Sequence, residues 1–328
     1  MTAVTAVTAV RSAPASVAVV GAGAIGGSWV ALALAHGLRV TASDPAPGAE
    51  ERLREAVRAH LAAIADDPDA ALTRLDFEAD PTDAAGDVDL VLEAGPERID
   101  AKRELFAVLD AAAPADVLLA SSSSGFGPSA FQDGCRHPER VVVTHPFNPP
   151  HLVPLVEVVG GRATSEQAVQ AAMAAMRRLG RRPVRVRAEL PGHVVNRLQA
   201  ALWREAYDLV RRGAISVADL DAAVASGPGL RWALLGPIAT QHLSGGPGGL
   251  DHVLEHLGPP MVDWWADLGD PELDADLVAA LVGGVREELG GREAAVRAAR
   301  DAALVELLAT KERWGLDATA RPDAGGER

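Results

Sequence analysis

A histidine and a glutamate stand 12 residues apart in two apolar runs. His145 ends the run VVVTH, and Glu157 is the only charge in the run LVPLVEVV. Histidine changes its charge close to neutral pH, which suits a general base, and a carboxylate among apolar neighbours needs a partner. The two residues therefore predict a proton-transfer site at the end of a strand. The alternative is a core histidine and a structural salt bridge.

A glycine-rich turn precedes this pair. The string VVGAGAIGG places Gly21, Gly23 and Gly26 as GxGxxG between a predicted strand and a predicted helix. This arrangement is typical of a pyrophosphate site at a helix amino terminus, with Gly21, Gly23, Ala24, Ile25 and Gly26 as the expected contacts. Asp44 ends the second predicted strand 18 residues after Gly26, where an acid accepts hydrogen bonds from an adenosine ribose. A carboxylate there repels a 2′-phosphate, so the sequence favours NAD over NADP. A sharp turn without a ligand is the alternative for the glycines, but it leaves the acid unexplained.

The elements that position these residues alternate along the first half of the chain. Predicted strands near 16–20, 38–43, 75–77, 88–94, 117–121 and 141–145 are separated by helical stretches. Such alternation indicates an α/β protein with a doubly wound parallel sheet of the Rossmann type. After about residue 188 only helical periodicity remains. We expect a disordered tail at 1–15, an NAD-binding domain at 16–188 and an all-α domain for substrate and dimerisation at 189–328.

Charge and composition exclude several kinds of partner. The 328 residues include 31 basic and 45 acidic side chains, a formal charge of −14, which disfavours nucleic acid and anionic membranes. No apolar stretch is long enough to span a bilayer, and the amino terminus lacks a secretory pattern, so we expect a soluble cytoplasmic protein. The single cysteine, Cys135, makes no internal disulfide, and no cluster has metal-ligand spacing.

Five motifs in order resemble one family. They are GAGAIG at 21–26, EAGPERIDAKRELF at 93–106, SSSSG at 121–125, HPFNPPHLVPLVEVV at 145–159 and PGHVVNRL at 191–198. Over about 16–240 the chain resembles the 3-hydroxyacyl-CoA dehydrogenases, most closely their λ-crystallin, L-gulonate dehydrogenase and L-carnitine dehydrogenase branch. The resemblance implies NAD as cofactor, a homodimer and hydride transfer at carbon 3 of a 3-hydroxy acid.

The resemblance also implies roles for individual residues. Glu157 would orient His145 as the base, and Ser124 and Asn196 would hydrogen-bond the reacting oxygen or the histidine; helix capping is the alternative for both polar residues. The positions implied beside the cofactor are Glu97 and Lys102 near the nicotinamide ribose, together with Glu93, Ser122 and Asn148. For Glu97 and Lys102, a helix start that favours an acid is the alternative.

Two differences from the pattern of this family bear on the choice of substrate. The stretch 44–93 is compact and acidic, unlike the basic helical excursion of relatives that take CoA esters, and His193 stands where the family usually has an aromatic residue. Arg231, in SGPGLRWALLGP, is a candidate for binding a substrate carboxylate, with a surface salt bridge as the alternative. We therefore expect a dehydrogenase of a small free 3-hydroxy acid such as L-carnitine or L-gulonate. A 3-oxo reductase of secondary metabolism, a 3-hydroxyacyl-CoA dehydrogenase and a crystallin-like structural protein remain open.

Overall fold

The computed structural model describes residues 10–316. The strands are β1 Ser16–Val20, β2 Arg39–Ser43, β3 Leu75–Glu78, β4 Leu90–Glu93, β5 Leu118–Ser121, β6 Val141–Pro146, β7 Leu155–Gly160 and β8 Arg182–Val186. The helices are α1 Ala24–Ala35, α2 Ala49–Ile64, α3 Pro68–Leu72, α4 Pro81–Ala85, α5 Ile99–Ala112, α6 Glu166–Arg178, α7 Val195–Arg211, α8 Val217–Ser226, α9 Pro228–Leu234, α10 Pro237–Ser244, α11 Gly249–Asp267, α12 Ala275–Leu289 and α13 Glu293–Arg313.

The chain forms two compact units, 1–197 and 198–328. The first holds all eight strands, and the described part of the second holds helices and no strand. The predicted fold class, a doubly wound sheet followed by an all-α region, is confirmed. The domain boundary at 188 and the functions assigned to the domains stay predictions.

The eight strands form one sheet in the order β3-β2-β1-β4-β5-β6-β7-β8. All neighbours are parallel except β6 and β7, which are antiparallel. The parallel sheet predicted from the alternating strands is therefore confirmed for β1 to β6, and the direction of β7 was not predicted. The connection 147–154 is too short for a helical crossover, so β7 returns beside β6 as the second strand of a hairpin. This hairpin sets the register of His145 and Glu157.

Helix α1 lies in the core, and its sequence explains why. Nine of its residues are buried, including Trp29, Leu32 and Leu34, because the helix is apolar all round. Helix α2 is amphipathic instead, with Leu53, Val57 and Leu61 buried at a spacing of four. Helix α2 packs on α1 and so covers it. Burying each of these large side chains contributes roughly 1.5–3 kcal/mol, and the glycine turn that begins α1 is held in place by this packing.

The segment 10–15, which we expected in a disordered tail, is held by contacts with other parts of the first unit. The guanidinium of Arg11 contacts Asp89 at 2.7 Å and Asp116 at 2.8 Å, and Val10 is buried. For these residues the expectation was wrong, because two acidic partners distant in sequence hold the arginine. The rest of the expected tail, 1–9, lies outside the described residues. Among the described helices none is long and apolar enough to cross a membrane.

A buried ion pair fixes the strand edge that leads to His145. Arg140, 1% exposed, contacts Asp110 at 2.8 Å and donates to the backbone carbonyls of residues 110, 113, 114 and 117. Asp110 is also buried, at 3%. With every donor of the guanidinium used, Arg140 ties the end of α5 to the start of β6.

We expect Arg140→Met to lower the free energy of unfolding by about 3–5 kcal/mol, because it leaves the carboxylate of Asp110 buried and uncompensated. Arg162→Met is the matched control, since Arg162 pairs with Asp133 in solvent, with exposed fractions of 66% and 75%. The control should cost less than about 1 kcal/mol. Urea unfolding of both variants measures the difference, and equal losses would contradict the role given to Arg140.

Candidate functional site

The glycine turn between β1 and α1 leaves an opening at the amino terminus of α1. Gly21 has φ 107°, and a Cβ on it would lie 2.5 Å from the carbonyl oxygen of Ala94, so only glycine fits there. A Cβ on Gly26 would lie 1.8 Å from the carbonyl oxygen of Gly21. Beside Gly23, by contrast, nothing lies within 4 Å. The N–H groups of Ala24 and Ile25, in the first turn of α1, have no acceptor within the helix, which is the arrangement that binds a diphosphate.

Asp44 stands at the end of β2, beside a cavity of about 500 Å³ that the glycine turn also lines. One carboxylate oxygen accepts a hydrogen bond from the backbone N–H of Ala22 and the other from that of Ala46, both at 2.9 Å. These bonds hold the carboxylate at the cavity rim, and each oxygen keeps a further lone pair for a ligand hydroxyl. The cavity walls include Ser43, Pro45, Pro81, Gly95, Pro96 and Leu105. The residues present thus fit a dinucleotide.

His145 and Glu157 face each other across the β6–β7 hairpin. They are register partners in the antiparallel pair, and Nδ1 of His145 lies 2.9 Å from Oε2 of Glu157. Side chains directly opposite each other in such a pair point to the same face and touch. A carboxylate only accepts hydrogen bonds, so the proton of the neutral imidazole is on Nδ1 and the lone pair is on Nε2. The imidazole is therefore oriented as a base.

Glu157 is fully buried, yet its charge is satisfied. Its Oε1 accepts hydrogen bonds from the backbone N–H groups of Val194 and Val195, both at 3.0 Å. Burial raises the pKa of Glu157, but the hydrogen bond from His145 and those two backbone bonds outweigh it, and the pKa lies below its ordinary value. Glu157 is therefore a carboxylate that is ionised beside the imidazole.

Ser124 and Asn196 are brought together. Ser124 is exposed at the turn after β5, and its carbonyl oxygen accepts a hydrogen bond of 3.2 Å from Nδ2 of Asn196, in the first turn of α7. Glu97 holds the same turn: its Oε1 accepts from the hydroxyl of Ser123 at 2.6 Å and from the N–H groups of Ser124 and Gly125 at 3.1 and 2.9 Å. Burial raises the pKa of Glu97, but these bonds and the charge of Lys102 lower it more.

Glu93 and Lys102 have each other as partners. Nζ of Lys102 lies 2.9 and 3.0 Å from the two carboxylate oxygens of Glu93, and the hydroxyl of Ser121 donates to Glu93 at 2.6 Å. Both side chains are almost fully buried, with exposed fractions of 1% and 2%. Only Glu97, 3.4 Å from the ammonium and 38% exposed, opens to solvent. The position of Glu93 and Lys102 beside the cofactor, expected from the sequence, stays a prediction.

The remaining predicted residues are placed as follows. Ser122 accepts a hydrogen bond of 2.9 Å from Nε1 of Trp29, and Asn148 is exposed in the loop after β6. Arg231 belongs to the second unit, on α9, where it is exposed and lines a cavity of about 310 Å³ with Trp232 and Gln241. Within residues 10–316 no three His, Cys, Asp or Glu side chains are placed to hold a metal ion.

Sequence reasoning gave no role to two residues that the structure places in the site. Ser123 links Glu97 to the turn after β5, and the buried ring of His193 lies 5.3 Å from that of His145, centroid to centroid. The signal for Ser123 was the serine run itself, and the signal for His193 was its departure from the aromatic residue usual in the family.

Residues 16–189 match the NAD binding domain of 3-hydroxyacyl-CoA dehydrogenase, and residues 192–280 match the C-terminal domain of the same enzymes. The chain belongs to the 3-hydroxyacyl-CoA dehydrogenase family. As expected from the sequence, it is an NAD-dependent oxidoreductase that acts on a CH–OH group.

Individual relatives align over most of the chain. An L-carnitine dehydrogenase of Streptomyces coelicolor is 46% identical over 93% of this chain and 97% of its own length. A 3-hydroxyacyl-CoA dehydrogenase of Gibberella moniliformis is 44% identical over 91% and 95%. A solved structure of 5-formyl-3-hydroxy-2-methylpyridine 4-carboxylic acid 5-dehydrogenase, an NAD⁺-dependent dismutase, superposes with a TM-score of 0.77 at 31% identity, covering 91% of this chain and 98% of that one.

We expect wild-type protein to prefer NAD strongly over NADP, because the carboxylate at the cavity rim favours ribose hydroxyls and repels a 2′-phosphate. Asp44→Ala should therefore lower the ratio of kcat/KM for NAD to kcat/KM for NADP. The measurement is kcat/KM with each cofactor. Asp76→Ala, on the exposed face of β3, is the control and should leave the ratio unchanged. Wild-type protein that used NADP equally well would contradict the placement of the ribose at Asp44.

Proposed function

We propose that the protein oxidises a small free 3-hydroxy acid of the L-carnitine type, with L-gulonate as the second candidate. The observation that carries the proposal is the hydrogen bond between His145 and Glu157, which orients a base at the carboxyl end of β6. In open α/β sheets ligands bind at this end of the strands. The extent of similarity to the chain named L-carnitine dehydrogenase supports the choice of substrate class.

In this proposal the chain's own residues carry out the proton transfer. Nε2 of His145 takes the proton of the substrate hydroxyl, and the carboxylate of Glu157 stabilises the imidazolium that forms. The same residues return the proton when the reaction runs as a reduction. When bound, NAD would supply the acceptor for the hydride of carbon 3, so that the products would be the 3-oxo acid and NADH.

Ser124 and Asn196 hold the reacting oxygen in this proposal. Their polar groups donate hydrogen bonds to an oxygen that gains negative charge as the proton leaves, without transferring a proton themselves. The hydrogen bond from Asn196 to the carbonyl of Ser124 holds the start of α7 against the turn after β5 and so fixes the two residues relative to each other. Glu97 supports the turn from its other side, and we infer that Lys102 and Glu93 act by fixing Glu97.

The residues that would hold NAD are those of the cavity already described. The glycine turn and the first N–H groups of α1 would bind the diphosphate, and Asp44 the adenosine ribose. Ser122 and Asn148, on loops that follow β5 and β6, would lie beside the nicotinamide half. The homodimer and the cytoplasmic location expected from the sequence remain part of the proposal, and sedimentation velocity tests the dimer.

Arg231 would bind the substrate carboxylate. The guanidinium is exposed in its cavity, and its planar fork matches a carboxylate with two hydrogen bonds. Trp232 lines the same cavity, and the face of an indole ring attracts a quaternary ammonium group. A cavity with both side chains suits a zwitterion such as L-carnitine.

A CoA ester is the alternative class of substrate, because one of the similar chains is named a 3-hydroxyacyl-CoA dehydrogenase. An NAD-linked assay with L-carnitine, L-gulonate, 3-hydroxybutyrate and 3-hydroxybutyryl-CoA decides between the two classes. We expect the highest kcat/KM for L-carnitine. A higher kcat/KM for the CoA ester would overturn the proposal of a free acid as substrate. Absence of turnover with all four compounds would overturn the proposed reaction.

For the base, we expect His145→Gln to keep NADH binding and to lower kcat by roughly 10²–10⁴-fold, the usual worth of a positioned general base. Glu157→Gln should also lower kcat, because a neutral amide cannot stabilise an imidazolium. NADH fluorescence titration and steady-state kinetics measure the two effects separately. A loss of less than tenfold in His145→Gln would require another base.

For the substrate, we expect Arg231→Ala to lower kcat/KM for the free acid by about 10- to 150-fold, because it removes charge-assisted hydrogen bonds to the carboxylate. Arg286→Ala, on α12, is the control arginine of the same unit. Both variants are assayed with the best free acid of the substrate screen. A value for Arg231→Ala equal to that of the wild type would remove the carboxylate role.

A further inference from the structure

His193 is a second buried imidazole beside His145, and the proposed reaction does not use it. The two ring planes are tilted by 45° at a centroid distance of 5.3 Å, and His193 has no exposed surface. An aromatic ring, usual in the family at this position, would fill such a space by apolar packing alone. What a histidine adds is a hydrogen-bond donor and the ability to change charge.

The backbone at His193 has an unusual conformation. Its φ is 54°, the only left-handed value of a non-glycine residue within 10–316, and it follows Gly192 at φ 73°. An L residue takes up this conformation at a cost in free energy, so the surrounding contacts must hold it there. The next two N–H groups, those of Val194 and Val195, both donate to Oε1 of Glu157. The turn at His193 is therefore part of what satisfies the buried carboxylate.

The side chain of His193 makes a different connection. Its Nε2 lies 3.1 Å from the carbonyl oxygen of Ser123, which only accepts hydrogen bonds, so the proton is on Nε2. Three residues later, Asn196 donates to the next carbonyl along, that of Ser124. The 193–196 segment thus holds two consecutive carbonyls of the turn after β5.

The ring of His193 is suited to remain neutral. Nδ1 is buried and has no hydrogen-bond partner in the described part of the chain, so a proton there would find no acceptor. Burial lowers the pKa of His193, and the nearby His145 lowers it further, against the opposing effects of the Ser123 carbonyl and of Glu157 and Glu97. A buried ring without an acceptor for a second proton thus favours the neutral form of His193.

We propose that His193 is a positioning residue: its neutral Nε2–H joins the turn that carries Ser124 to the turn that holds Glu157. This fixes the oxygen-binding side of the site relative to the base, while proton transfer stays with His145. The inference rests on the proposed function only in the use made of His145; the tautomer and the hydrogen bond to Ser123 stand without it.

Two variants separate the hydrogen bond from the ring volume. His193→Phe keeps an aromatic ring without a donor, and His193→Gln is its matched partner, with an uncharged N–H donor and the same penalty for φ. We expect His193→Phe to lower kcat by about 5- to 100-fold, the effect of leaving one buried acceptor unpaired. The dissociation constant of NADH should stay within about twofold of wild type in both variants, because neither removes a cofactor contact. The kcat of His193→Gln should lie within about threefold of wild type, because glutamine keeps a hydrogen-bond donor. Equal kcat values for the Phe and Gln variants would overturn the proposal.

A measurement without substrate completes the test. Nitrogen-15 NMR of histidine-labelled wild-type protein, with His193 assigned from the spectrum of His193→Gln, reports which ring nitrogen carries the proton. We expect a neutral Nε2–H tautomer at pH 6.5, where an ordinary histidine is half protonated. A charged ring or an Nδ1–H tautomer would contradict the inference, even if His193→Phe failed to fold. Absence of turnover on any 3-hydroxy acid would instead count against the proposed function, and the NMR result would still decide on the tautomer.

Discussion

The buried carboxylate of Glu157 is the constraint on which the rest of the site depends. A charge without access to water is tolerated only when it is paired and hydrogen-bonded, and Glu157 obtains three donors from two parts of the chain. One donor, His145, comes from the neighbouring strand, and the other two are the backbone N–H groups of Val194 and Val195, where α7 begins. Satisfying this single group therefore fixes the β6–β7 register, the tautomer of the histidine and the path of the chain as it leaves the sheet.

Much of this arrangement could be predicted from sequence, because the signals are local. The glycine turn and Asp44 lie within one strand-helix-strand unit, and their spacing alone places them at one edge of the sheet. His145 and Glu157 were recognisable from residue type and from the family motif. The antiparallel direction of β7 was missed because an apolar strand looks the same in either direction. The length of the connection 147–154 carried the information, since no crossover fits into it.

What the sequence did not reveal depends on side chains that meet from distant positions. Glu93 and Lys102 were placed beside the cofactor from their motif, which stays a prediction, but their contact with each other in the interior was not foreseen. Arg11 was assigned to a tail because its partners lie 78 and 105 residues away. In both cases the sequence identified a charged residue, but the partner of that charge depended on the tertiary structure.

The acidic side chains of the site are held in the same way. Glu93, Glu97, Glu157 and Asp44 each accept a hydrogen bond from at least one backbone N–H, so their positions are tied to the backbone and not to flexible side-chain partners alone. Such fixed carboxylates need little reorganisation when charge moves nearby. His145 differs from them because only one of its nitrogens is committed to a partner that demands a particular tautomer. Within residues 10–316, Nε2 of His145 makes none of the hydrogen bonds that hold the site together, so in the proposed reaction this nitrogen is the one that takes the proton while the carboxylates stay fixed by their backbone donors.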